Sequence, residues 1–265
     1  MIGKIRLFDT HAHLNDPHFE KDLDSVIERA LESGVEHIVI PGYDLESSER
    51  ALELAHRFDG FLFAAVGLHP HDAKELTPEL IESFRELAKD KKVVAIGEIG
   101  LDFYRNFSPK DVQIEAFKVQ LDLARELNLP VIIHVRKAYP ETFQILKEFQ
   151  GISGVFHCFS GGVEEARYAA KMGFFVSFSG SLTYKSKKLR EALKVVPIDK
   201  LVFETDSPYL APSLKRGERN EPSFIIYIVK KAAEILETDI QQLAEQVFSN
   251  SLSLFNLEGR TDGNS

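Results

Sequence analysis

The sequence predicts an α/β fold, a single-domain (β/α)8 TIM barrel. Short runs rich in β-branched and aromatic residues alternate with longer amphipathic segments, as expected when strands alternate with helices. Eight such runs occur within the 265 residues, at positions 5–9, 36–41, 61–67, 93–97, 130–134, 154–157, 174–179 and 201–205. Eight strands, each followed by a helical pattern, in a chain of this length are typical of the barrel.

A doubly wound open sheet would show the same alternation of strands and helices. The number of strands favours the barrel over that alternative. Open sheets that bind nucleotides carry G-x-G-x-x-G after the first strand, and phosphate-binding loops carry G-x-x-x-x-G-K-[ST]. Neither motif occurs in this sequence, so nothing in it indicates a nucleotide-binding sheet.

The helical segments show apolar residues at spacings of three and four, with charged residues on the opposite face. This pattern predicts helices at 22–33, 109–127, 223–236 and 240–254. Gly34, Gly60 and Gly173 lie where helices are expected to end before the next strand. Because no linker rich in Pro, Gly or Ser divides the chain, we expect one domain over residues 1–257 and a frayed C-terminal tail at 258–265.

The formal net charge of −9 argues against a protein that coats nucleic acid through bulk electrostatic attraction. It does not exclude an enzyme with a local basic patch. No apolar run approaches the roughly 20 residues of a transmembrane helix, and the N-terminus lacks the apolar region of a signal peptide. We therefore expect a cytoplasmic protein without membrane association and with no evident obligate protein partner. Cys158 is the only cysteine, which excludes an intramolecular disulfide.

A group of metal-binding residue types ends the predicted strands. The first strand runs into Asp9-Thr10-His11-Ala12-His13, and residues two apart on an extended chain point to the same side, so both histidines can bind one cation. An isolated H-x-H pair is more often incidental. Four further residues, however, fall at the ends of strands four, five, six and eight: Glu98, His134, His157 and Asp206. Since the carboxyl ends of barrel strands form one face, we expect all six side chains to converge there.

Four histidines and two carboxylates are more ligands than one tetrahedral ion requires. A carboxylate can bridge two cations that lie about 3.5–4 Å apart. We therefore predict two divalent cations per chain, Mg²⁺, Mn²⁺ or Zn²⁺. Glu98 is the best candidate for the bridging ligand, because it follows an apolar strand and the adjacent Gly97 leaves room for close approach.

The chain resembles the TatD family of metal-dependent deoxyribonucleases across nearly its whole length. Six motifs in order carry the resemblance: DTHAHL at 9–14, GLHP at 67–70, GEIGLD at 97–102, HVR at 134–136, FHCFSG at 156–161 and ETDSPYL at 204–210. The resemblance implies a TIM barrel of the amidohydrolase superfamily, divalent metals and hydrolysis of phosphodiester bonds in DNA, often as a 3′–5′ exonuclease. It also implies that the six residues named above occupy the family's metal-ligand positions. Many amidohydrolases have a carboxylated lysine as the bridge, where this chain has Glu98.

Two of these residues are predicted to act in catalysis. Asp206 is expected to orient the attacking water and accept its proton, and Glu98 to hold the cations together. The predicted substrate-binding residues, in contact with single-stranded DNA or its 3′ ends, are His69, Arg136, Lys137, Glu204 and Tyr209. Glu204 could instead orient a histidine ligand or form an ion pair inside the barrel.

The loops after the strands are rich in cations and aromatic rings. The cations form a predicted basic rim that would attract phosphate: Arg105, Arg136, Lys137, Lys185, Lys187, Lys188, Lys215, Arg216 and Arg219. Four aromatic residues could either stack on bases or pack beneath the loops: Phe103, Tyr104, Tyr184 and Tyr209. We expect His37 and His56 at the surface and Cys158 in the core.

Two other functions are compatible with these residues. A small-molecule amidohydrolase or lactonase would use the same metal site on a different bond. A catalytically silent nucleic-acid-binding barrel would keep the fold without turnover, although the intact set of six candidate ligands argues against it.

Overall fold

Eight parallel strands form the centre of the structure, a computed structural model that describes residues 5–258. The strands are β1 Leu7–Asp9, β2 Val35–Pro41, β3 Leu62–Val66, β4 Val93–Asp102, β5 Val131–Arg136, β6 Gly154–Phe156, β7 Phe175–Phe178 and β8 Leu201–Phe203. Each strand pairs with the next along the chain. Thr10 closes the ring between β1 and β8, because its backbone N–H and its hydroxyl donate to the Phe203 carbonyl at 3.2 and 3.0 Å. The predicted (β/α)8 barrel is confirmed.

Helices surround the barrel. They are α1 Leu23–Glu32, α2 Leu45–Arg57, α3 Pro78–Leu87, α4 Lys110–Leu127, α5 Tyr139–Glu148, α6 Val163–Lys171, α7 Lys187–Val195, α8 Ile225–Leu236 and α9 Ile240–Leu254. The four helices predicted by periodicity are confirmed to within two residues at either end. Local sequence explains several helix ends. Asp44 caps α2 by accepting a hydrogen bond from the Ser47 backbone N–H at 2.7 Å, and Asn128 ends α4 in the left-handed conformation.

The core has two layers because strand side chains alternate between two faces. Ile38, Leu62 and Val131 belong to the larger cluster, which also contains the buried faces of the helices. Their neighbours Val39, Phe63 and Ile132 belong to a smaller cluster with Phe248, Leu254, Phe255 and Leu257. These last four residues come from α9 and the segment after it, so the C-terminal helix covers one end of the barrel interior. The opposite end, at the carboxyl ends of the strands, remains available for polar groups.

The fourth strand is longer than predicted. It continues through Glu98 to Asp102, whereas the hydrophobic run predicted an end at Gly97. The pairing with β5 is irregular here: Ile96 pairs with Val131, and Ile99 pairs with Ile133, which leaves two β4 residues opposite one β5 residue. This bulge keeps the strand hydrogen-bonded beyond the polar residue.

The position of His37 also differs from the prediction. It was predicted at the surface, but it lies within β2 and is buried. Its ring packs at 5.5 to 5.8 Å from the rings of Phe8, Phe63 and Phe248, and its Nδ1 lies 3.0 Å from the Gly60 carbonyl. The ring is accommodated because its polar nitrogen has a backbone partner.

Two expectations concern the ends of the chain and the membrane. All of the predicted frayed tail except Glu258 lies outside the described residues. Within residues 5–258, no helix is both long and apolar enough to cross a membrane.

Candidate metal centre

The two histidines after β1 converge on one point. His11 and His13 are both buried, and their Nε2 atoms lie 3.1 Å apart. The convergence follows from the extended backbone of the H-x-H segment, as the sequence predicts. His11 is further held by stacking against the ring of His157, with ring centroids 4.1 Å apart.

Glu98 lies at the centre of the site, and its two carboxylate oxygens face different histidines. Oε2 lies 3.3 Å from His11 Nε2 and 3.7 Å from His13 Nε2. Oε1 lies 2.7 Å from His134 Nδ1 and 2.8 Å from His157 Nε2. One carboxylate therefore joins two pairs of imidazoles, which is the arrangement expected of a ligand shared by two cations.

Asp206 completes the group on the side of β8. Its Oδ1 lies 3.8 Å from His11 Nε2 and 3.6 Å from His13 Nε2. The residue follows the end of β8 by three positions and has a positive φ of 56°. Its backbone N–H donates to the His11 carbonyl at 2.9 Å, which fixes the turn against the segment after β1. The six predicted ligands thus form one cluster.

The surroundings set the protonation of these groups. Burial by itself raises the pKa of the Glu98 carboxyl, but the neighbouring imidazoles of His157 and His69 outweigh it and hold that pKa well below its ordinary value. Burial lowers the pKa of His11. Burial acts in the same direction on His134 and His157, but the neighbouring carboxylates outweigh it and raise the pKa of both imidazoles, so a cation would compete with a proton there. A carboxylate and a neutral imidazole are the forms in which these residues bind metal ions.

The chemistry of the site fits divalent cations. On each histidine of the cluster, one ring nitrogen lies within 3.7 Å of a Glu98 oxygen, where it can bind a cation. The other ring nitrogen is buried and has no hydrogen-bond partner among the described residues: Nδ1 of His11, His13 and His157, and Nε2 of His134. Three sets of three side chains have ligand atoms within 4.8 Å of one another, and two of these sets share Glu98. Imidazole nitrogens and carboxylate oxygens together suit Zn²⁺, Mn²⁺ and related ions.

Buried carboxylates lie behind the cluster. Glu204 Oε1 accepts a hydrogen bond from the Cys158 backbone N–H at 2.6 Å and lies 3.4 Å from His157 Nδ1. Asp102 Oδ2 lies 2.9 Å from His71 Nε2 and 3.5 Å from His134 Nε2. Carboxylates in such positions orient metal-binding histidines.

A cavity of about 1120 Å³ opens above the cluster at the carboxyl ends of the strands. Three of the five predicted substrate-binding residues line it, namely His69, Arg136 and Tyr209. Burial lowers the pKa of His69 to about 4, so this imidazole is neutral at pH 7. The other two residues lie elsewhere: Glu204 is fully buried behind His157, and Lys137 lies outside the lining, beside Tyr104.

The basic rim is smaller than the sequence suggests. Only three of its nine predicted cations line the cavity: Arg105, Arg136 and Lys188. Two of the others are held by carboxylates, Lys215 by Glu218 and Arg219 by Asp22. Cys158 also lines the cavity, contrary to the prediction of a core residue, because its positive φ of 42° redirects the chain after β6. Burial raises the pKa of its thiol, which keeps it protonated and argues against a nucleophile.

Comparison with known proteins identifies the family. The family model described as TatD related DNase matches residues 8–256 of this chain. The chain belongs to the TatD-related DNase family. It is 45% identical to the uncharacterized metal-dependent hydrolase YabD of Bacillus subtilis, over 95% of this chain and 99% of that protein. It is 39% identical to the 3′–5′ ssDNA/RNA exonuclease TatD of Erwinia tasmaniensis, over 95% of this chain and 100% of that protein.

A solved structure shows the same architecture. The crystal structure of YJJV, a TatD homolog from Escherichia coli, has a TM-score of 0.90 and 30% identity, and the match covers 96% of this chain and 99% of that one. These findings confirm the predicted family. They also confirm the predicted class of enzyme, a metal-dependent hydrolase that acts on ester bonds.

Sequence reasoning missed several residues of this TatD-related site, among them Asp102 and Phe107. Asp102 belongs to the GEIGLD motif, but the strand was expected to end five residues earlier, so its approach to His134 could not be foreseen. Phe107 lines the cavity from the loop after β4. Its position among polar residues, in Arg105-Asn106-Phe107-Ser108, was the available signal, because an isolated aromatic residue in such a loop is a candidate for contact with a ligand.

Proposed function

We propose that this protein is a metal-dependent deoxyribonuclease that removes nucleotides from the 3′ ends of single-stranded DNA. One observation carries the proposal: the Glu98 carboxylate lies between two pairs of histidines, at the base of a wide cavity whose rim carries cations. A site that joins two cations beneath a cationic rim is suited to a phosphodiester, because negative charge develops on the phosphate oxygens during hydrolysis.

The proposed ligands divide into two groups around Glu98. His11 and His13, with Asp206, would hold one cation, and His134 and His157 would hold the other. Glu98 would contribute one oxygen to each group. Bound divalent cations supply Lewis acidity: they neutralise charge on the phosphate oxygens and lower the pKa of water.

Asp206 is the proposed general base. Its carboxylate lies at the edge of the cluster and lines the cavity, so a water molecule that enters from the cavity can hydrogen-bond to it. Burial by itself raises the pKa of Asp206, but His13 and His11 outweigh this and keep the carboxyl ionised. An ionised carboxylate can accept the proton that the attacking water loses. His69, neutral and 3.4 Å from Glu98 Oε1, can donate a hydrogen bond to a phosphate oxygen.

The size and charge of the cavity support a polymeric anion as substrate. The net charge of −9 would repel DNA from most of the surface, whereas the cavity lining includes three cations, Arg105, Arg136 and Lys188, which offset its carboxylates. Relatives named as 3′–5′ ssDNA/RNA exonucleases, which match over their whole length, support the choice of nucleic acid and of polarity.

The test is a degradation assay on single-stranded oligonucleotides labelled at the 5′ or the 3′ end, with Mg²⁺, Mn²⁺ or Zn²⁺ and with EDTA. Under the proposal, the 5′-labelled strand shortens stepwise and the 3′ label is released as a mononucleotide, with no reaction in EDTA. Cyclic amides and lactones are assayed in parallel. Turnover of those compounds alone would overturn the proposal in favour of a small-molecule hydrolase.

The same experiment distinguishes a nuclease from a catalytically silent nucleic-acid-binding protein. Such a protein would bind the oligonucleotide without cleaving it in any of the metals. Glu98→Gln is the internal control for contaminating nucleases, because activity that survives this substitution at the wild-type level does not come from the proposed site.

A further inference from the structure

Exposed aromatic rings of this protein gather at the cavity. Within residues 5–258, the exposed aromatic side chains are Tyr104, Phe107 and Tyr209, at 53%, 59% and 50% exposure. Phe107 and Tyr209 line the cavity, and Tyr104 lies in the same loop as Phe107. Exposed apolar rings concentrated at one place mark a surface that binds a ligand.

Phe107 and Tyr209 lie on opposite rims. Phe107 follows β4 and Tyr209 follows β8, and these strands are four positions apart in the order β1 to β8. In a barrel of eight strands, four positions is half of the circumference. The Glu98 cluster lies between the two rims, so a chain that crosses the cavity would meet one ring on either side of it.

Both rings are held in place. The Tyr209 hydroxyl donates to Asp16 Oδ2 at 2.9 Å, and its ring centroid lies 6.1 Å from that of His13. The Phe107 ring contacts the ring of His71 edge-on, with centroids 4.8 Å apart. A ring that is fixed before binding loses little conformational entropy when a base stacks on it.

The charges of the two rims differ. On the Phe107 side, the guanidinium of Arg136 lies 4.2 Å and the ammonium of Lys137 lies 5.1 Å from the centre of the Tyr104 ring, and Arg105 lines the cavity beside them. On the Tyr209 side, the hydroxyl of that ring donates to the Asp16 carboxylate. Over the cavity lining, the loops after β3 to β5 carry Arg105 and Arg136 against Asp72, whereas the loops after β7, β8 and β1 carry Lys188 against Asp16 and Asp206. Phosphates are therefore attracted more strongly to the first rim than to the second.

We infer that single-stranded DNA crosses the cavity with its terminal base stacked on Tyr209 and its penultimate base stacked on Phe107. The inference rests on the proposed function and adds the path of the strand. The body of the strand, which carries all the remaining phosphates, leaves over Arg105 and Arg136. The terminal nucleoside has no further phosphate on its 3′ side, which suits the rim with the carboxylate.

The experiment pairs each ring with one base. Rates of first-nucleotide release, as kcat/KM, are measured for Phe107→Leu and Tyr209→Leu on three oligonucleotides: one intact, one abasic at the 3′-terminal position and one abasic at the penultimate position. Each substitution is expected to lower kcat/KM on the intact strand about tenfold. Phe107→Leu should have no further effect when the penultimate base is missing, and Tyr209→Leu none when the terminal base is missing.

Two control variants separate stacking from other effects. Tyr209→Phe keeps the ring and loses the hydrogen bond to Asp16, so it should recover most of the kcat/KM on the intact strand that Tyr209→Leu loses. Leu31→Ala removes a side chain of similar exposure, 45%, from the outer helix α1 and should not change any rate. Thermal unfolding of every variant verifies the fold.

The outcomes are distinct. If the pairing is reversed, with the penultimate base matched to Tyr209, the proposed direction of the strand is overturned. If both ring variants retain the wild-type kcat/KM on the intact strand, the proposed stacking of bases on Phe107 and Tyr209 is overturned while the nuclease assignment stands. If the wild-type protein cleaves no oligonucleotide, the proposed function itself fails.

Discussion

Glu98 Oε1 lies 2.7 Å from His134 Nδ1, across the pairing of β4 with β5. The contact depends on the bulge between Ile96 and Ile99, which places two β4 residues opposite one residue of β5. Because Glu98 Oε2 faces His11 and His13 at the same time, this one side chain connects strands from both halves of the barrel.

Glu98→Gln should prevent the cluster from binding two cations. The substitution removes the negative charge that faces four imidazoles while it keeps the size of the side chain, so we expect loss of at least one bound cation per chain. Turnover of single-stranded DNA should fall by about 10²-fold or more, because the lost cation would have stabilised the negative charge that develops on the phosphate. Metal content is measured by mass spectrometry after dialysis. Glu115→Gln, on the exposed face of α4, is the matched control, and equal metal content in both variants would contradict the prediction.

Asp206→Asn should separate catalysis from folding. An amide can still accept a hydrogen bond but cannot accept a proton, so we expect turnover to fall by roughly 10²–10⁴-fold. The thermal unfolding midpoint should stay close to that of the wild type. Single-turnover kinetics with saturating Mn²⁺ measures the effect, and wild-type rates would exclude Asp206 as the base.

Asp102→Asn should weaken metal binding, although Asp102 is not one of the proposed cation ligands. The Asp102 carboxylate lies 2.9 Å from His71 Nε2 and 3.5 Å from His134 Nε2, and the neutral amide holds these rings less firmly. Loss of such a partner typically costs about 10–100-fold in metal affinity. Calorimetric titration with Zn²⁺ measures the change. Asp199→Asn, at an exposed position before β8, serves as control, and the hypothesis fails if both variants bind equally well.

Gly97→Ala should destabilise the protein and disturb the site together. A Cβ at this position would lie 2.6 Å from the Cβ of Ile132 in β5, which forces the two strands apart. Overpacking of this kind costs about 1–3 kcal/mol. For a chain of this size, the unfolding midpoint should drop by about 2–12 °C, measured by calorimetry. Gly162→Ala is the comparison, because its added methyl meets only movable side chains, the Glu165 carboxylate at 3.1 Å and Lys188 Cε at 3.4 Å, and an equal drop there would refute the packing argument.

The ion pair between Arg29 and Glu221 should make stability depend on pH. Arg29 Nε donates to Glu221 Oε1 at 2.9 Å and joins α1 to the segment before α8. Burial by itself raises the pKa of the Glu221 carboxyl, but hydrogen bonds from Arg29 and Ser223 outweigh it and lower that pKa. Since the folded pKa is depressed, the stabilisation is complete above the unfolded pKa of about 4.3 and is lost as the pH falls through the folded value.

Glu221→Gln should therefore cost about 1.5 kcal/mol at pH 7 and progressively less below about pH 4. Urea unfolding at pH 3, 4, 5 and 7 measures the difference from the wild type. Glu218→Gln breaks the exposed pair with Lys215 and should change the free energy of unfolding by at most about 1 kcal/mol at any pH. A constant cost of Glu221→Gln across the whole range would contradict the assignment.

Much of the fold could be predicted because its signals are local. The alternation of Val39 with Ile38, and the spacing of apolar residues in α4, depend on the period of the element and on no distant contact. The six candidate ligands could be collected for a similar reason, since each lies within or directly after an apolar strand. Parallel strands bring such positions to one face whatever the side chains are.

Other features could not be predicted because they depend on contacts between segments far apart in sequence. The longer β4, the approach of Asp102 to His134 and the burial of His37 among aromatic rings all follow from strand register and helix packing. Lys137 and Glu204 illustrate the same limit, since sequence placed both beside the substrate and packing placed both outside the cavity lining.

The sequence by itself thus determined the barrel, the metal-binding residue types and the strands that present them, because hydrophobic period and ligand chemistry are properties of single segments. Only the tertiary structure decided that the two oxygens of Glu98 face different histidine pairs and that Phe107 and Tyr209 stand on opposite rims. Those relationships depend on distances across the barrel, which arise only when the register and twist of all the strands are satisfied together.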